Sequence, residues 1–170
     1  VVLADDRQFQ VPELQVTFRD STDTSILSAQ VSGSSPSVYL GDAIDLDLTI
    51  KVRKFVDPTW GLEFSAVETW DRLADRSTFG PFAPTAARAR READAVTVSS
   101  IEQRDESGEM ATFYLFSLSA RIWPDRTGPV DLTDVGLLMD YPVRMVREPG
   151  LDFVELRIAI EENQLHGEFR

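Results

Sequence analysis

Cysteine is absent from this chain of 170 residues, and histidine occurs only once, at position 166. Without thiols, the protein cannot use a cysteine nucleophile, hold a metal ion on thiolates or form disulfide bonds. One histidine leaves a histidine-based zinc site short of ligands, and His166 lies in a polar segment with no Gly-x-Ser-x-Gly motif in the chain. The composition therefore gives no support to thiol, zinc or serine-triad chemistry.

Positive charge is also scarce, since 17 Lys and Arg residues face 29 Asp and Glu residues and give a formal net charge of −12. Such a surface repels phosphate groups and anionic lipid headgroups, so neither nucleic-acid binding nor direct membrane insertion is expected. No apolar run approaches the roughly 20 residues that a membrane helix requires. Because no Gly-rich phosphate loop is present, no nucleotide or other cofactor is predicted.

Period-two alternation dominates the apolar pattern. Residues 44–50 alternate Ile or Leu with Asp or Thr, which is typical of a strand with one buried and one wet face. Residues 111–122 are aromatic-rich and free of Gly and Pro, so they are predicted to form a central strand that pairs antiparallel with 96–101 across a turn at 105–108. Similar patterns predict strands at 14–18, 130–139, 142–146 and 153–158.

Two segments interrupt the alternation. Ser65 and Glu68 have the spacing of a capping box, which predicts a short helix after Ser65. Its predicted apolar face comprises Val67, Trp70, Leu73 and Ala74. Residues 85–94 follow Pro84 and are rich in Ala and Arg, so they form either a second helix or a solvated loop.

Many short strands separated by Gly, Pro and Asp predict an all-β fold, an antiparallel immunoglobulin-like β-sandwich with a helical insertion near residues 65–94. Because residues 9–18 are similar to 129–138, internal repetition is also indicated. Residues 1–32 are then either the closing strands of a preceding module or the first strands of the same domain. Residues 33–170 are predicted to contain the sandwich.

Residues 38–46 have the sequence Val-Tyr-Leu-Gly-Asp-Ala-Ile-Asp-Leu, and residues 116–128 end in a Pro…Gly turn. These segments resemble the opening and closing strands of modules in the BatD, or oxygen-tolerance, family of bacterial envelope proteins. Residues 62–70 and 79–82 resemble an insertion found in some members. The resemblance implies tandem immunoglobulin-like modules of a membrane-anchored protein, exposed to the periplasm, with membrane partners that bear von Willebrand A domains. It implies no catalytic residues.

Acidic residues are the remaining candidates for chemistry. Asp42, Asp45 and Asp47 form the closest group, but no Gly-bearing calcium loop surrounds them. Carboxylates on the wet face of a strand usually serve solvation, so neither a metal site nor a catalytic residue is predicted. Residues 20–25 depart from the metal-binding Asp-x-Ser-x-Ser pattern and are predicted to form a polar turn.

A group of aromatic residues lies in the stretch that interrupts the strands: Trp60, Trp70, Phe79 and Phe82. One interpretation is an exposed patch that binds a partner protein, which makes these four the candidate partner-binding residues. The other is that the rings attach the insertion to the sandwich and close one end of its core. Since large aromatic side chains are mostly buried, the second interpretation is favoured.

Two functions from different classes follow from these patterns. The favoured one is a non-catalytic protein-interaction module of a BatD-like envelope protein, acting through sheet edges, inter-strand loops and the aromatic insertion. The alternative is a carbohydrate- or peptide-binding or hydrolysing β-sandwich domain that uses surface carboxylates. A pocket with two close carboxylates, one of raised pKa, would favour the alternative, and an exposed apolar patch would favour the first function.

Overall fold

The computed structural model describes residues 2–4, 7–9, 18–19, 26–35, 37–89, 96–105, 107–149 and 154–167, with side chains described in 26–35, 37–89, 96–105 and 107–142. The strands are β1 (Val2–Ala4), β2 (Arg7–Phe9), β3 (Phe18–Arg19), β4 (Leu27–Gly33), β5 (Ile44–Arg53), β6 (Val56–Asp57), β7 (Leu62–Glu63), β8 (Thr78–Phe79), β9 (Thr97–Arg104), β10 (Met110–Ile122), β11 (Val135–Pro149) and β12 (Val154–Gly167). The helices are α1 (Ala66–Arg76) and α2 (Ala83–Ala89), with a 3₁₀ turn at Gly80–Phe82 directly before α2. The described chain is mostly β with antiparallel sheets, as predicted, and it contains two short helices, of which only α1 was predicted without an alternative.

The first four-stranded sheet has the strand order β4-β5-β10-β9. Its inner face follows from the alternation in β5, where every second residue from Ile44 to Val52 is buried. Phe116 and Leu118 of β10 are buried opposite Ile50 and Leu48. The predictions that β10 is central and that it pairs antiparallel with β9 are confirmed.

The second four-stranded sheet has the order β3-β12-β11-β8 and is built around the long antiparallel pair of β11 and β12. The prediction of separate strands at 130–139 and 142–146 is wrong, because β11 is one strand that begins only at Val135. Its register with β12 shifts between Pro142 and Arg144. Proline cannot donate a ladder hydrogen bond, and such an irregularity lets the strand continue past it.

Helix α1 begins with the predicted capping box. The N–H of Glu68 donates to Ser65 Oγ (3.3 Å), and the N–H of Ser65 donates to the Glu68 carboxylate (2.8 Å). The predicted apolar face needs one correction, because Val67 is 62% exposed and Thr69 is buried instead. The buried stripe of the helix is centred near Trp70, so Val67 falls at its margin.

Helix α2 begins at Ala83, two residues before the predicted start at 85. Pro84 fits the first turn of a helix, where its missing N–H removes no helical hydrogen bond. The Thr85 hydroxyl donates to the backbone oxygen of Ser119 (2.8 Å) and so fastens α2 to β10. Of the two alternatives predicted for residues 85–94, the helix is confirmed for 85–89, which belong to α2. Residues 90–95 lie outside the described part of the chain.

The hydrophobic core contains side chains from both four-stranded sheets and from α1. Phe55, which follows β5, lies with its ring centroid 6.4 Å from that of Tyr141 in β11. Trp70 of α1 lies 5.4 Å, centroid to centroid, from Phe116 of β10. The interrupting segment is thus packed into the same core as the sheets.

The first 33 residues contribute strands to both four-stranded sheets. Strand β4 pairs with β5, with Val31 opposite Leu48, and β3 pairs with β12. Strands β1 and β2 pair with each other. The boundary at 32 and 33 and the assignment of residues 1–32 stay predictions. Most of the predicted strand at 14–18 and the polar turn at 20–25 lie outside the described residues.

Candidate functional site

The four predicted partner-binding aromatic residues do not share one environment. Trp70, Phe79 and Phe82 are buried, and the Trp70 ring centroid lies 5.7 Å from that of Phe79. These three rings attach the helical segment to the sheet and present no surface to a partner, so the interpretation as one exposed patch is wrong for them. Trp60 is 48% exposed.

Trp60 lies in the turn between β6 and β7, which is held by Asp57. The Asp57 carboxylate accepts hydrogen bonds from the N–H groups of Thr59 (2.9 Å) and Trp60 (3.2 Å). Gly61 then adopts a φ of +64°, a conformation that glycine reaches without strain. Trp60 is therefore a half-exposed ring on a hydrogen-bonded turn and stays a predicted contact residue.

Of the three aspartates considered for calcium, Asp45 and Asp47 lie on the outer face of the first sheet and are hydrogen-bonded to neighbours, whereas Asp42 precedes β5 and is exposed. Arg121 donates two hydrogen bonds to the Asp45 carboxylate (2.6 and 2.9 Å), and the Ser119 hydroxyl donates to Asp47 (2.6 Å). The hydrogen bond from Arg121 and its charge lower the pKa of Asp45. Among the described residues, no group of three or more His, Asp or Glu is placed to hold a metal ion.

Three further carboxyl groups have a lowered pKa. Hydrogen bonds from the Ser65 backbone and hydroxyl lower the pKa of Glu68. A hydrogen bond from the Thr133 hydroxyl lowers the pKa of Asp131. A hydrogen bond from the Ser107 hydroxyl lowers the pKa of Asp105. Since a general acid near neutral pH needs a raised pKa, none of these groups suits that role.

His166 lies in β12, with its backbone opposite Gly136 of β11 and Arg19 of β3. The sequence pattern placed it in a polar tail, whereas the structure places its backbone inside a sheet. A strand position is fixed by ladder pairing with distant residues, which local polarity does not reveal.

The most exposed element among the described residues with side chains is β9. All eight residues of this strand are exposed, and β9 is the last strand of the first sheet. In an edge strand, alternate residues direct their N–H and C=O groups away from the sheet. No described strand pairs with this free edge, so β9 is a template for one more strand.

Both faces of β9 are uncovered. Val98 lies opposite the core residue Phe116, and it is nevertheless 43% exposed. Ile101 lies on the other face, opposite Phe113, and is 36% exposed. The layer that covers the inner face of the sheet therefore ends at β10, and an added strand can contact apolar side chains on either side of β9.

The first part of β9 lacks the features that usually protect a sheet edge. Residues 97–101 are Thr-Val-Ser-Ser-Ile, without charge or proline, and charge appears only at Glu102 and Arg104. The pairing of β9 with β10 runs through eight residue pairs without a register shift. In natural proteins, lysine, proline, a β-bulge or a short length commonly prevents an edge strand from pairing with another chain. Residues 97–101 have none of these features.

The turn that joins β9 to β10 is held by Asp105. Its carboxylate accepts hydrogen bonds from the N–H groups of Ser107 (2.9 Å) and Glu109 (3.0 Å), and from Arg53 (2.8 Å) in an ion pair. The hydrogen bond from the Ser107 hydroxyl contributes most to its lowered pKa, and the two N–H groups and the Arg53 charge add to this effect. These hydrogen bonds join the end of β9 to the start of β10 and to Arg53, which directly follows the buried positions of β5.

Sequence reasoning identified β9 as a strand but did not identify it as the exposed edge. The positions of β9 on the inner side of the sheet are Val98, Ser100, Glu102 and Arg104, whereas those of β5 are all apolar. The absence of a continuous apolar face was the available signal, because a strand without one is not covered on either side.

Among the described residues, no helix has both the length and the apolar content needed to cross a membrane. Comparison with protein-family models, curated proteins and solved structures finds no match to this chain.

Proposed function

We propose that this chain is a non-catalytic protein-interaction module that binds an extended segment of a partner protein along β9. In this proposal the two four-stranded antiparallel sheets form an immunoglobulin-like sandwich, and β9 is its binding edge. The observation that carries the proposal is the uncovered eight-residue edge of β9. Strand addition at such an edge provides main-chain hydrogen bonds for affinity and side-chain contacts at alternate positions for specificity.

The side chains of β9 must contribute to this binding. Each main-chain hydrogen bond yields a net stabilisation of only about 0.5–1.5 kcal/mol. Ordering each residue of a flexible partner costs about 1–2 kcal/mol. Since these two contributions nearly cancel, affinity depends on apolar contacts with Val98 and Ile101, which are 43% and 36% exposed. The partner strand therefore carries apolar side chains at the positions facing these two residues.

The charge of the chain influences which partners approach. The net charge of −12 attracts cationic partners and repels anionic ones, mainly through the association rate. Residues 97–101 carry no charge, so the edge itself does not repel a partner strand of either sign.

The resemblance to the BatD family extends the proposal to the location and the partner. We place the module in the periplasm, as the exposed part of a membrane-anchored envelope protein. Its proposed partners are membrane proteins that bear von Willebrand A domains. The sequence segments that support this are residues 38–46 and 116–128.

The alternative function, carbohydrate or peptide hydrolysis by surface carboxylates, has less support. It requires a carboxyl group of raised pKa, and the pKa values of Asp45, Glu68, Asp105 and Asp131 are lowered. Binding along β9 requires no ionisable group.

The test of the proposed function uses two neighbouring proline variants, Ser99→Pro and Ser100→Pro. Ser99 lies opposite Leu115 and Ser100 opposite Tyr114. Neighbouring residues of an antiparallel strand direct their N–H groups to opposite sides, so one variant loses an outward donor and the other loses a bond to β10. We expect one variant to keep the native unfolding midpoint and lose partner binding, while the other is destabilised.

Binding is measured by site-specific photo-crosslinking in an envelope fraction and with a purified von Willebrand A domain protein. The crosslinker is placed at Val98 and, as a control, at Arg88, which is exposed on α2. We expect a crosslinked partner from position 98 only, and its loss in the folded proline variant. Equal crosslinking from both positions, or binding that persists in both proline variants, would contradict strand addition at β9.

A further inference from the structure

A second group of exposed apolar side chains lies at the end of the first sheet where β10 ends. We call Tyr39, Leu40 and Trp123 the loop-end surface; they are 53%, 55% and 63% exposed. Tyr39 and Leu40 lie between β4 and β5, and Trp123 directly follows β10. Because Ile122 pairs with Ile44, both loops leave the sheet at the same end.

A backbone hydrogen bond joins the two loops of this surface. The N–H of Gly41 donates to the backbone oxygen of Pro124 (3.4 Å), and the N–H of Asp42 closes a turn onto the oxygen of Tyr39 (3.0 Å). Gly41 has a φ of +89°, which a residue with a side chain adopts only with strain. Val38 and Ile122, which precede the exposed side chains, pack against the core. The exposed side chains of the loop-end surface are therefore next to residues that are held by the core and by backbone hydrogen bonds.

The uncompensated charge beside this surface is negative. Asp42 and Asp125 are exposed, and their carboxylates make no ion pair or hydrogen bond with any described residue. The two nearby arginines, Arg121 and Arg126, are both in ion pairs with aspartates. A ligand of this surface thus meets three large apolar side chains next to two free carboxylates.

We propose that the loop-end surface binds a protein segment in which an aliphatic or aromatic side chain is flanked by Lys or Arg. Tryptophan and tyrosine are the side chains that most often dominate the binding energy of protein interfaces. The cationic flanks complement Asp42 and Asp125, whereas a second copy of this chain would bring the same carboxylates. An anionic membrane surface is repelled by the net charge of −12.

This site is separate from the proposed β9 edge. Val98 lies opposite Phe116, and β10 continues from there for about six residues to Ile122, a distance of about 20 Å at ~3.3 Å per residue. Binding at each surface can therefore be abolished separately by mutation. An experiment can contradict one of the two proposed binding sites while it supports the other.

The experiment selects random 12-residue peptides displayed on phage against the native chain, with counter-selection against Trp123→Ser. Both forms should unfold at the same urea concentration, since Trp123 is mostly exposed. We expect enriched peptides with net positive charge and at least one large apolar residue. We also expect their Kd to rise by about 30-fold in Trp123→Ser, which corresponds to ~2 kcal/mol at about 1.4 kcal/mol per factor of ten.

Two matched measurements test the charge and the location. The double variant Asp42→Asn, Asp125→Asn is expected to weaken peptide binding and reduce its dependence on NaCl concentration. The folded proline variant of β9 is expected to bind the selected peptides as tightly as the native chain does.

Three results would overturn the proposal. The first is a set of selected peptides without positive charge, or with equal affinity for Trp123→Ser. The second is a dimer in sedimentation velocity that Trp123→Ser abolishes, because the occupant is then a second copy. The third is binding to vesicles of phosphatidylcholine and phosphatidylglycerol that Trp123→Ser abolishes, because the occupant is then a membrane.

Discussion

Trp70 connects helix α1 to the first sheet, so its replacement tests how the helical segment is held. The side chain is 5% exposed, and its ring lies against those of Phe79 and Phe116, at centroid distances of 5.7 and 5.4 Å. Truncation of a buried Trp or Phe to alanine usually costs about 3–5 kcal/mol of unfolding free energy. We expect a loss of this size for Trp70→Ala, a large part of the ~5–15 kcal/mol that stabilises a typical domain.

Trp70→Phe distinguishes two contributions of this side chain to the unfolding free energy: the packing of the ring and the cost of the buried indole N–H. The indole Nε1 is buried and has no hydrogen-bond partner among the described residues. A buried donor left unsatisfied costs about 1–3 kcal/mol, and phenylalanine removes this cost together with part of the ring. Because the two effects oppose each other, Trp70→Phe should lose only about 1 kcal/mol, clearly less than Trp70→Ala.

Urea unfolding followed by far-UV circular dichroism measures both losses without relying on the tryptophan that is changed. Trp60→Ala is the matched control, since that ring is 48% exposed and its loss should cost no more than about 1 kcal/mol. The m-value should stay constant across the variants, because the surface exposed on unfolding hardly changes. A Trp70→Ala variant as stable as Trp60→Ala, or a Trp70→Phe variant as unstable as Trp70→Ala, would refute the packing argument.

Two other predictions concern the capping box and the β9–β10 turn. Ser65→Ala removes the N-cap of α1 and should lower the unfolding free energy by about 1 kcal/mol in urea titrations; an unchanged midpoint would contradict this. The folded-state pKa of Asp105 lies below its unfolded value, so its stabilisation is present above the unfolded pKa and is lost as the pH falls through the folded pKa. Thermal unfolding from about pH 5 to about pH 3 should therefore show a smaller loss of stability for Asp105→Asn than for the native chain, and parallel curves would show that Asp105 does not contribute.

Local features were predicted correctly because neighbouring residues determine them. The alternation from Ile44 to Ile50 predicted a strand with one buried face, which is observed in β5. The spacing of Ser65 and Glu68 predicted the capped start of α1, which is also observed. The turn between β9 and β10 followed from the segment around Asp105 and Gly108. In each case the hydrogen bonds or the face preference arise within a few residues of the chain.

The errors concern features that distant contacts decide. The break predicted between residues 139 and 142 does not occur, because β12 pairs with β11 from Gly136 to Pro149 and the register shifts between Pro142 and Arg144. Val67 was placed on the buried face of α1, but the position of β11 and the sheet relative to the helix decides where that face ends.

The sequence by itself determined the β-rich class, the central strand β10, the capped helix and the lack of thiol, histidine-based zinc and nucleotide motifs. Only the tertiary structure decided that Trp70, Phe79 and Phe82 are buried while β9, Tyr39, Leu40 and Trp123 are exposed. The physical reason is that the hydrophobic effect acts on surface area without regard to position in the chain. Whether an aromatic ring is core or surface therefore depends on which distant element covers it, and no local pattern contains that information.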